Sequence, residues 1–311
     1  MKILFMGTPD FAASSLAGLI DSPHEIVGVV TQPDRPKGRG HKMLPTPVKA
    51  LALEHGIAVY QPEKVKNEAL LPLLEELQPE LIVVVAYGRI LQPYILTFPK
   101  YGCINVHASL LPKYRGAAPI QWAVINGEEK TGVTTMQMDA GVDTGDILLS
   151  KETTVGTYET AGELFERLAQ MGRELLLETI EGVANGTVSP RKQGQDYTLA
   201  PMLTKELAKI DWTKSAQEIS KQICGMNPWP LAYTTYKGET LKITAATITQ
   251  CPSGAKAGEI LGLEKKKGLL VGCGNGALYL TEAQFAGSRK MAVEDYVRGH
   301  EVETGIILGE G

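Results

Sequence analysis

The chain has 311 residues, of which 43% are hydrophobic and 21% charged, and its formal net charge is -4. That length buries a sizeable core and suits two domains, and the mild acidity excludes overall attraction to nucleic acid, so any such binding must use a local basic patch. The longest apolar run, "LIVVVAY" from Leu81, is far short of the ~20 residues that cross a bilayer, so no membrane partner is expected.

"MKILFMG" runs straight into a strand-like segment, Lys2–Gly7, without a signal-peptide pattern, and the protein is read as cytoplasmic and monomeric. Asp10–Ile20 reads as a helix, Glu25–Thr31 as a second strand, and Pro45–Gly56 as a helix with Thr46 as N-cap and Pro47 in its first turn. Asn67–Gln78 reads as a further helix despite Pro72, and Pro79–Gly88 and Gly102–Ala108 as strands. Short apolar strands alternating with helices imply an α/β, Rossmann-like, mostly parallel sheet covered on both faces. Ligands of such sheets bind beyond the carboxyl ends of the strands, which places the loops after Gly7, Thr31, Ala86 and Val106 on one rim. "GTPDF" after the first strand lacks the later glycines of G-x-G-x-x-G, which argues against a dinucleotide.

Thr131–Thr154 reads as strand, glycine-rich loop and strand, and Tyr158–Gly186 as a long amphipathic helix with a glycine exit. Turn formers without periodicity follow, and residues 190–208 are read as a linker between a domain at 1–189 and one at 209–311. The last part opens with a helix, Lys214–Met226, followed by short strands with turn residues every 8–12 positions, the spacing of a small C-terminal β-barrel. "GCGNG" at Gly272–Gly276 lies between two strand patterns and reads as a hairpin turn.

Four cysteines lie far apart without a CxxC, and the five histidines show no HxxxH or HExxH, so buried thiols are expected and no metal site. Three stretches are candidates for chemistry. In "INVHASLLPKYRG", Asn105 and His107 are two apart and share one face of a strand that ends at the ligand rim. On spacing alone the pair also fits a structural strand-to-loop junction. In "QMDAGVDTGDI", Asp139, Asp143 and Asp146 interleave with Gly141 and Gly145 on a loop that can bring a carboxylate to a ligand, or is a solvated hairpin; EF-hand spacing fails for want of a closing Glu. In "TQPDRPKGRGHKMLPTPVK", Arg35, Lys37, Arg39, Lys42 and Lys49 face one acid, Asp34, on a loop whose glycines and prolines argue against a regular element; it can follow phosphates, or is simply solvated.

Together these stretches resemble the folate-dependent formyltransferases: "NVHASLLPKYRG" is similar to that family's N-x-H-x-S-L-L-P-x-x-x-G motif, and Asp143 in "VDTGD" matches its downstream acid. "FMGTPDFAASSL", the basic loop, "VVAYGRILQP" and "DWTKSAQEISKQICGMNPWPLAYT" extend the resemblance over nearly the whole chain, toward the branch that formylates methionyl initiator tRNA. The resemblance implies transfer of the formyl group of 10-formyltetrahydrofolate to the α-amino group of methionine on that tRNA, with no metal. It carries over Asn105, His107 and Asp143 as catalytic, and Tyr87, Gly88, Arg89, Ile90, Leu91, Ser109, Leu110, Leu111, Pro112 and Asp139 as folate-binding. It also implies that loop 34–49, through Arg35, Lys37, Arg39 and Lys42, meets the tRNA, and that the C-terminal domain is an OB-like tRNA-binding barrel. Lys265, Lys266, Lys267, Arg289 and Lys290 are then candidates for phosphate contacts, or are solvated loop charges. Alternative readings are a formyltransferase for a small amine or sugar nucleotide, a formyl-tetrahydrofolate hydrolase, and a non-enzymatic tRNA-binding module.

In this chemistry a neutral amine attacks the formyl carbon, and charge grows on the formyl oxygen. Asn105 and His107 offer hydrogen-bond donors for that oxygen, and Asp143 offers a relay for the protons that leave the amine.

Overall fold

β1 (Lys2–Gly7) is an apolar run buried from Ile3 onward, and Gly7 leaves no space for a side chain between β1 and the following α1 (Asp10–Ile20): a Cβ there would stand 2.7 Å from that of Ala12. β2 (Glu25–Val30) leads into β3 (Arg35–Lys37) and β4 (Lys42–Leu44). The computed structural model describes residues 1–37 and 42–310, and at Lys37 and Lys42 the backbone alone. α2 (Pro47–Glu54) starts as its sequence predicts, with Thr46 accepting from the Lys49 amide at 3.1 Å and Pro47 in the first turn.

β5 (Val59–Tyr60), α3 (Leu71–Leu77), β6 (Leu81–Val85), α4 (Pro93–Leu96), β7 (Cys103–His107) and β8 (Arg115–Gly116) follow. α3 is shorter than the Asn67–Gln78 helix expected. Pro72 has no N–H to give to a preceding turn, so it sits in the first turn of the helix, and Asn67 and Glu68 take positive φ values of 55° and 57° ahead of it. Then come α5 (Pro119–Ile125), β9 (Lys130–Gln137), β10 (Asp146–Thr154), α6 (Ala161–Ala184) and β11 (Leu199–Ala200). α6 is closed at its start by a reciprocal cap, Thr160 Oγ1 accepting from the Glu163 amide and Glu163 Oε2 from that of Thr160.

The basic loop is not free of regular structure, as its glycines and prolines had suggested. β3 and β4 pair antiparallel, with Arg35 opposite Leu44, Pro36 opposite Met43 and Lys37 opposite Lys42. A two-stranded ribbon has an open edge on each side, so Pro36 fits without breaking a ladder bond.

One seven-stranded sheet runs in the order β10-β9-β7-β6-β1-β2-β5. The five strands from β7 to β5 pair in parallel, and β9 joins antiparallel to β7. This is the mostly parallel α/β sheet that the alternation of strands and helices implies. Leu4, Met6, Val30, Ile82 and Val84 pack with Leu74, Leu91 and Ile95 on one face, each buried side chain contributing about 1.5–3 kcal/mol relative to exposure. The loops after β1, β2 and β6 meet at the carboxyl rim, where Thr8 Oγ1 and Gln32 Nε2 both donate to the Tyr87 carbonyl, at 3.3 and 3.0 Å.

The chain divides into two compact units, one of Met1–Pro119, Lys130–Thr153 and Phe165–Ala200, the other of Ile120–Glu129, Thr154–Leu164 and Pro201–Gly311. Of the stretch expected to be a linker, residues 190–200 belong to the first unit, where β11 pairs in parallel with β8. The second unit holds α7 (Ala216–Gly225), β12 (Ala232–Tyr236), β13 (Glu239–Thr249), β14 (Ile260–Glu264), β15 (Gly268–Gly272), β16 (Ala277–Gln284), β17 (Met291–Ala292) and α8 (Val293–Val297).

Its antiparallel sheet follows the order β12-β13-β16-β15-β14, with β17 also on β16. Register shifts in β13 and β14 bend it; β12 and β14 end the strand ladder, and the segment 305–309 bonds to both, the Gly305 amide donating to the Ile260 carbonyl at 2.7 Å and the Gly309 amide to the Thr235 carbonyl at 2.9 Å. "GCGNG" forms the β15–β16 hairpin, closed by a bond from the Cys273 amide to the Gly276 carbonyl at 3.0 Å.

α7 opens on a capping box in which Ser215 Oγ accepts from the Glu218 amide at 3.2 Å and Glu218 Oε2 from the Ser215 amide at 3.0 Å. Ser215→Ala is therefore expected to lower unfolding free energy by about 1 kcal/mol, read as a reduced denaturant midpoint at unchanged slope. Among the described residues no helix is long and apolar enough to cross a membrane.

Candidate active site

Asn105 lies on β7, the end strand of the parallel run, opposite Val84 of β6 and Met136 of β9. Its Nδ2 donates to the Val84 carbonyl at 3.1 Å. A carbonyl only accepts, so this bond fixes the amide: a flipped group would set two oxygens face to face. Asn105 Oδ1 is consequently held on the other branch, where it is buried and without a hydrogen-bond partner. A buried acceptor in that state costs about 1–3 kcal/mol until a donor reaches it, which marks the place where a ligand N–H or O–H fits.

His107 ends β7, and its side chain is 7% exposed. Its Nε2 lies 2.9 Å from the Tyr114 carbonyl. Because that carbonyl only accepts, Nε2 carries the ring proton. Nδ1 then faces Asp143 Oδ2 at 3.6 Å, too far for a direct hydrogen bond. The ring N–H expected to serve a formyl oxygen is thus committed to the main chain, and Nδ1 is the atom left for chemistry.

Asp143 reaches this position through a left-handed backbone, φ 53°, a conformation Asp tolerates better than most residues. The Gly116 amide donates to its Oδ2 at 2.8 Å, and Gly116 itself has φ 122°. Asp139 and Asp146 stay out of the cluster. Asp139 Oδ1 accepts from the Gly141 amide at 3.0 Å and the Thr144 hydroxyl at 2.6 Å, shaping the loop from within, and Asp146 pairs with Lys192 at 3.2 Å.

Ser109–Pro112 is a tight turn after His107. Ser109 is fully buried, and its hydroxyl donates to the Lys113 carbonyl at 2.6 Å, which makes it a structural group. Thr134, opposite His107 on β9, fastens the turn: its hydroxyl donates to the Ser109 carbonyl at 2.7 Å and accepts from the Leu111 amide at 3.2 Å. Leu111 packs with Met136 and Ile147, and the Leu111–Pro112 bond is cis. Leu110 is half-buried.

At the loop after β6, Tyr87 is 2% exposed and packs in the core, so its backbone is the part that reaches the rim. Gly88 takes φ 80°, Ile90 is exposed at 65% and Leu91 is buried. Arg89 is tied back by bonds to Gln32 Oε1 at 3.2 Å and to the Glu63 carbonyl at 2.5 Å. Near the base of the basic loop, Lys49 Nζ sits between Asp34 Oδ2 at 2.6 Å and Gln61 Oε1 at 2.7 Å. The Lys49 ammonium holds the Asp34 carboxyl below its ordinary range, and Lys49 is therefore an anchor of the loop. Arg35 is exposed, while Arg39 lies outside the described residues.

In the second unit Lys267 pairs with Glu264 at 2.7 Å and Lys290 with Glu282 at 3.1 Å, which neutralises two of the five cations proposed for phosphates. Burial pushes the Cys103 thiol up to about 12, so it is no nucleophile at neutral pH. Among the described residues no group of three His, Cys, Asp or Glu side chains is placed to hold a metal ion.

A sequence profile of the formyl transferase family matches residues 1–180, and one of the formyl transferase C-terminal domain matches residues 202–301. The chain belongs to the formyl transferase family.

Relatives within the family match it from end to end. It is 51% identical to a methionyl-tRNA formyltransferase of Alkaliphilus oremlandii over 100% of both chains. It is 49% identical to one of Geobacter metallireducens over 99% of both. Among solved structures, an N-formyltransferase of Helicobacter canadensis superposes with a TM-score of 0.65 at 21% identity, over 94% of this chain and 100% of that one. HypX of Aquifex aeolicus gives 0.65 at 19% identity, over 96% of this chain and 48% of that one. At those identities the structures speak for the fold alone.

For this family member the structure joins Asn105, His107 and Asp143 at one end of β7. It adds four residues that the sequence reading missed: Tyr114 and Gly116 through their backbone, Thr134 through its hydroxyl, and Gln193. Thr134 and Gln193 left no local signal, since their side-chain partners lie 16 or more positions away.

Proposed function

We propose that this formyl transferase passes the formyl group of 10-formyltetrahydrofolate to the α-amino group of methionyl initiator tRNA, giving N-formylmethionyl-tRNA for translation initiation. The observation that carries the reading is end-to-end identity of about half the residues with proteins named methionyl-tRNA formyltransferase, across both family domains. The work of such an enzyme places it in the cytoplasm, and it acts as a monomer.

Formyl transfer requires an amine to attack a carbonyl, so hydrogen-bond groups must meet the amine and the growing oxyanion, and protons must leave the nitrogen. Asn105 meets both needs with one fixed amide. Oδ1, buried without a partner, accepts an N–H of the incoming amine and so aims its lone pair; the N–H of Nδ2 not given to Val84 serves the formyl oxygen. His107 Nδ1 takes the proton that leaves the amine and returns it to the folate nitrogen as the bond from that nitrogen to the formyl carbon breaks, releasing tetrahydrofolate; Asp143, 3.6 Å away, stabilises the imidazolium in between. The Tyr114 carbonyl holds the ring in the tautomer that leaves Nδ1 free. The loop Tyr87–Leu91, the turn Ser109–Pro112 and Asp139 form the folate side of the site, with exposed Ile90 as an apolar wall. Arg35, Lys37, Arg39 and Lys42 of loop 34–49 hold the acceptor end of the tRNA, with the C-terminal unit as a second tRNA surface.

The test supplies 10-formyltetrahydrofolate with methionyl initiator tRNA and follows the formyl group. Formylmethionine on the tRNA is the expected product. Free formate would mark a hydrolase, and transfer to a small amine or sugar nucleotide but not to the tRNA would move the acceptor assignment.

Arg39→Ala is expected to lower kcat/KM for the tRNA about tenfold, the worth of one charge-assisted bond of ~1.5 kcal/mol, at unchanged formyl-folate affinity. Equal kcat/KM in variant and wild type would make Arg39 a bystander.

A further inference from the structure

From Ser189 to Leu199 every residue is exposed except Gln193. Three consecutive residues there meet the Asp143 loop. Arg191 and Ile147 exchange backbone bonds, 2.8 Å in each direction, Lys192 pairs with Asp146, and Gln193 Nε2 donates to the carbonyls of Asp143 at 2.9 Å and Gly145 at 2.7 Å. The other end of the amide is also taken. Gln193 Oε1 accepts from Arg115 Nε at 3.0 Å and Nη2 at 2.7 Å, and the Arg115 guanidinium lies over the Tyr197 ring, 4.7 Å from its centroid.

Asp143 needs such support. Its φ of 53° is a conformation that persists only where the surroundings over-determine it. Its carboxylate is fixed from one side by the Gly116 amide and its carbonyl from the other by Gln193. Arg115 and Gly116 are adjacent, so β8 holds Asp143 twice, directly through the Gly116 amide and indirectly through Arg115 and Gln193.

We infer that Gln193 is a positioning residue for the transfer reaction, holding the Asp143 loop so that the carboxylate stays on His107. The inference rests on the roles proposed above for Asp143 and His107. It makes the stretch after α6 a working part of the site.

Gln193→Glu separates the two ends of the amide. It keeps an acceptor for Arg115 and turns an oxygen toward the two carbonyls in place of the NH2 group. The expected result is a fall in kcat of up to about 10²-fold with KM for both substrates near wild type, since a small misplacement of a reacting group costs that much. A second reading comes from the double variant: if Gln193 acts through Asp143, Asp143→Asn with Gln193→Glu is no slower than Asp143→Asn alone. Wild-type kcat in Gln193→Glu, or losses that multiply in the double variant, would overturn the inference. Should thermal melting show Gln193→Glu unfolded, Gln193→Ala, which leaves both carbonyls to water, is read by the same criteria.

Wild type and Asp143→Asn run alongside. A wild type that does not formylate methionyl-tRNA defeats the proposed function, whereas an active wild type with an equally active Gln193→Glu defeats this inference alone. An unimpaired Asp143→Asn removes the role of Asp143, and that of Gln193 with it.

Discussion

His107→Ala and Asp143→Asn are each expected to lower kcat about 10²–10⁴-fold, the range for loss of a positioned proton-transfer group, with tRNA and formyl-folate affinities close to wild type. The geometry explains both the size and the split. His107 is almost fully buried, its Nε2 is spent on the Tyr114 carbonyl, and Nδ1 faces Asp143. Deleting the ring removes the proton acceptor. Amidating Asp143 keeps the shape but removes the charge that stabilises a protonated ring, and its new NH2 group conflicts with the Gly116 amide wherever it occupies the Oδ2 position. Two groups that act as one unit are not additive, so the double variant should be about as slow as the slower single one. Single-turnover rates at saturating substrate give the comparison. Multiplied losses in the double variant would mean that His107 and Asp143 do separate work.

Asn105→Ala is expected to cost about 10²–10³-fold in kcat, the usual loss on removing one preorganised donor to a developing oxyanion. Stability should change little in the opposite sense to most core truncations, because the variant also removes Oδ1, a buried acceptor without a partner. Slow turnover in a protein that melts no earlier than wild type is thus the signature of a group kept for the reaction. A variant that turns over normally would return Asn105 to a structural role, bonded to the Val84 carbonyl and nothing more. Asn105→Asp separates the two functions of the amide: it retains an acceptor, but brings oxygen against the Val84 carbonyl, and should be as slow as Asn105→Ala.

The sheet was legible because its strands are continuous apolar runs. "KILFMG" and "LIVVV" are buried on both faces, and that requirement is written in consecutive residues. The start of α2 was legible because Thr46, near in sequence, closes it, whereas the helix read from Lys214 begins only after its cap Ser215. The start of α3 was misplaced because an apolar pattern ran across Pro72, and the missing N–H of proline outweighs periodicity. The β3–β4 ribbon went unseen since it needs only a few paired residues and leaves no alternation long enough to notice. An evenly spaced set of short strands suggested a closed barrel. Spacing along the chain reports turns, whereas closure depends on what links the first and last strands: among the described residues β12 and β14 do not pair directly, and the segment 305–309 bonds to both.

The sequence by itself determined the strand-helix alternation, the rim at which β7 ends, and which residues are chemically able to move a formyl group. A strand places Asn105 and His107 on one face by its two-residue period, so their association is local. Only the tertiary structure decided which atoms of these residues are free. Val84 takes one Asn105 N–H, Tyr114 takes the His107 Nε2 proton, and Gly116 and Gln193 hold Asp143 in a left-handed turn. Most of these partners are backbone groups, whose identity no side chain encodes, and most are brought in by chain crossings of 7 to 50 positions. A residue type sets what a group can do; the hydrogen bonds already made around it set what it has left to offer.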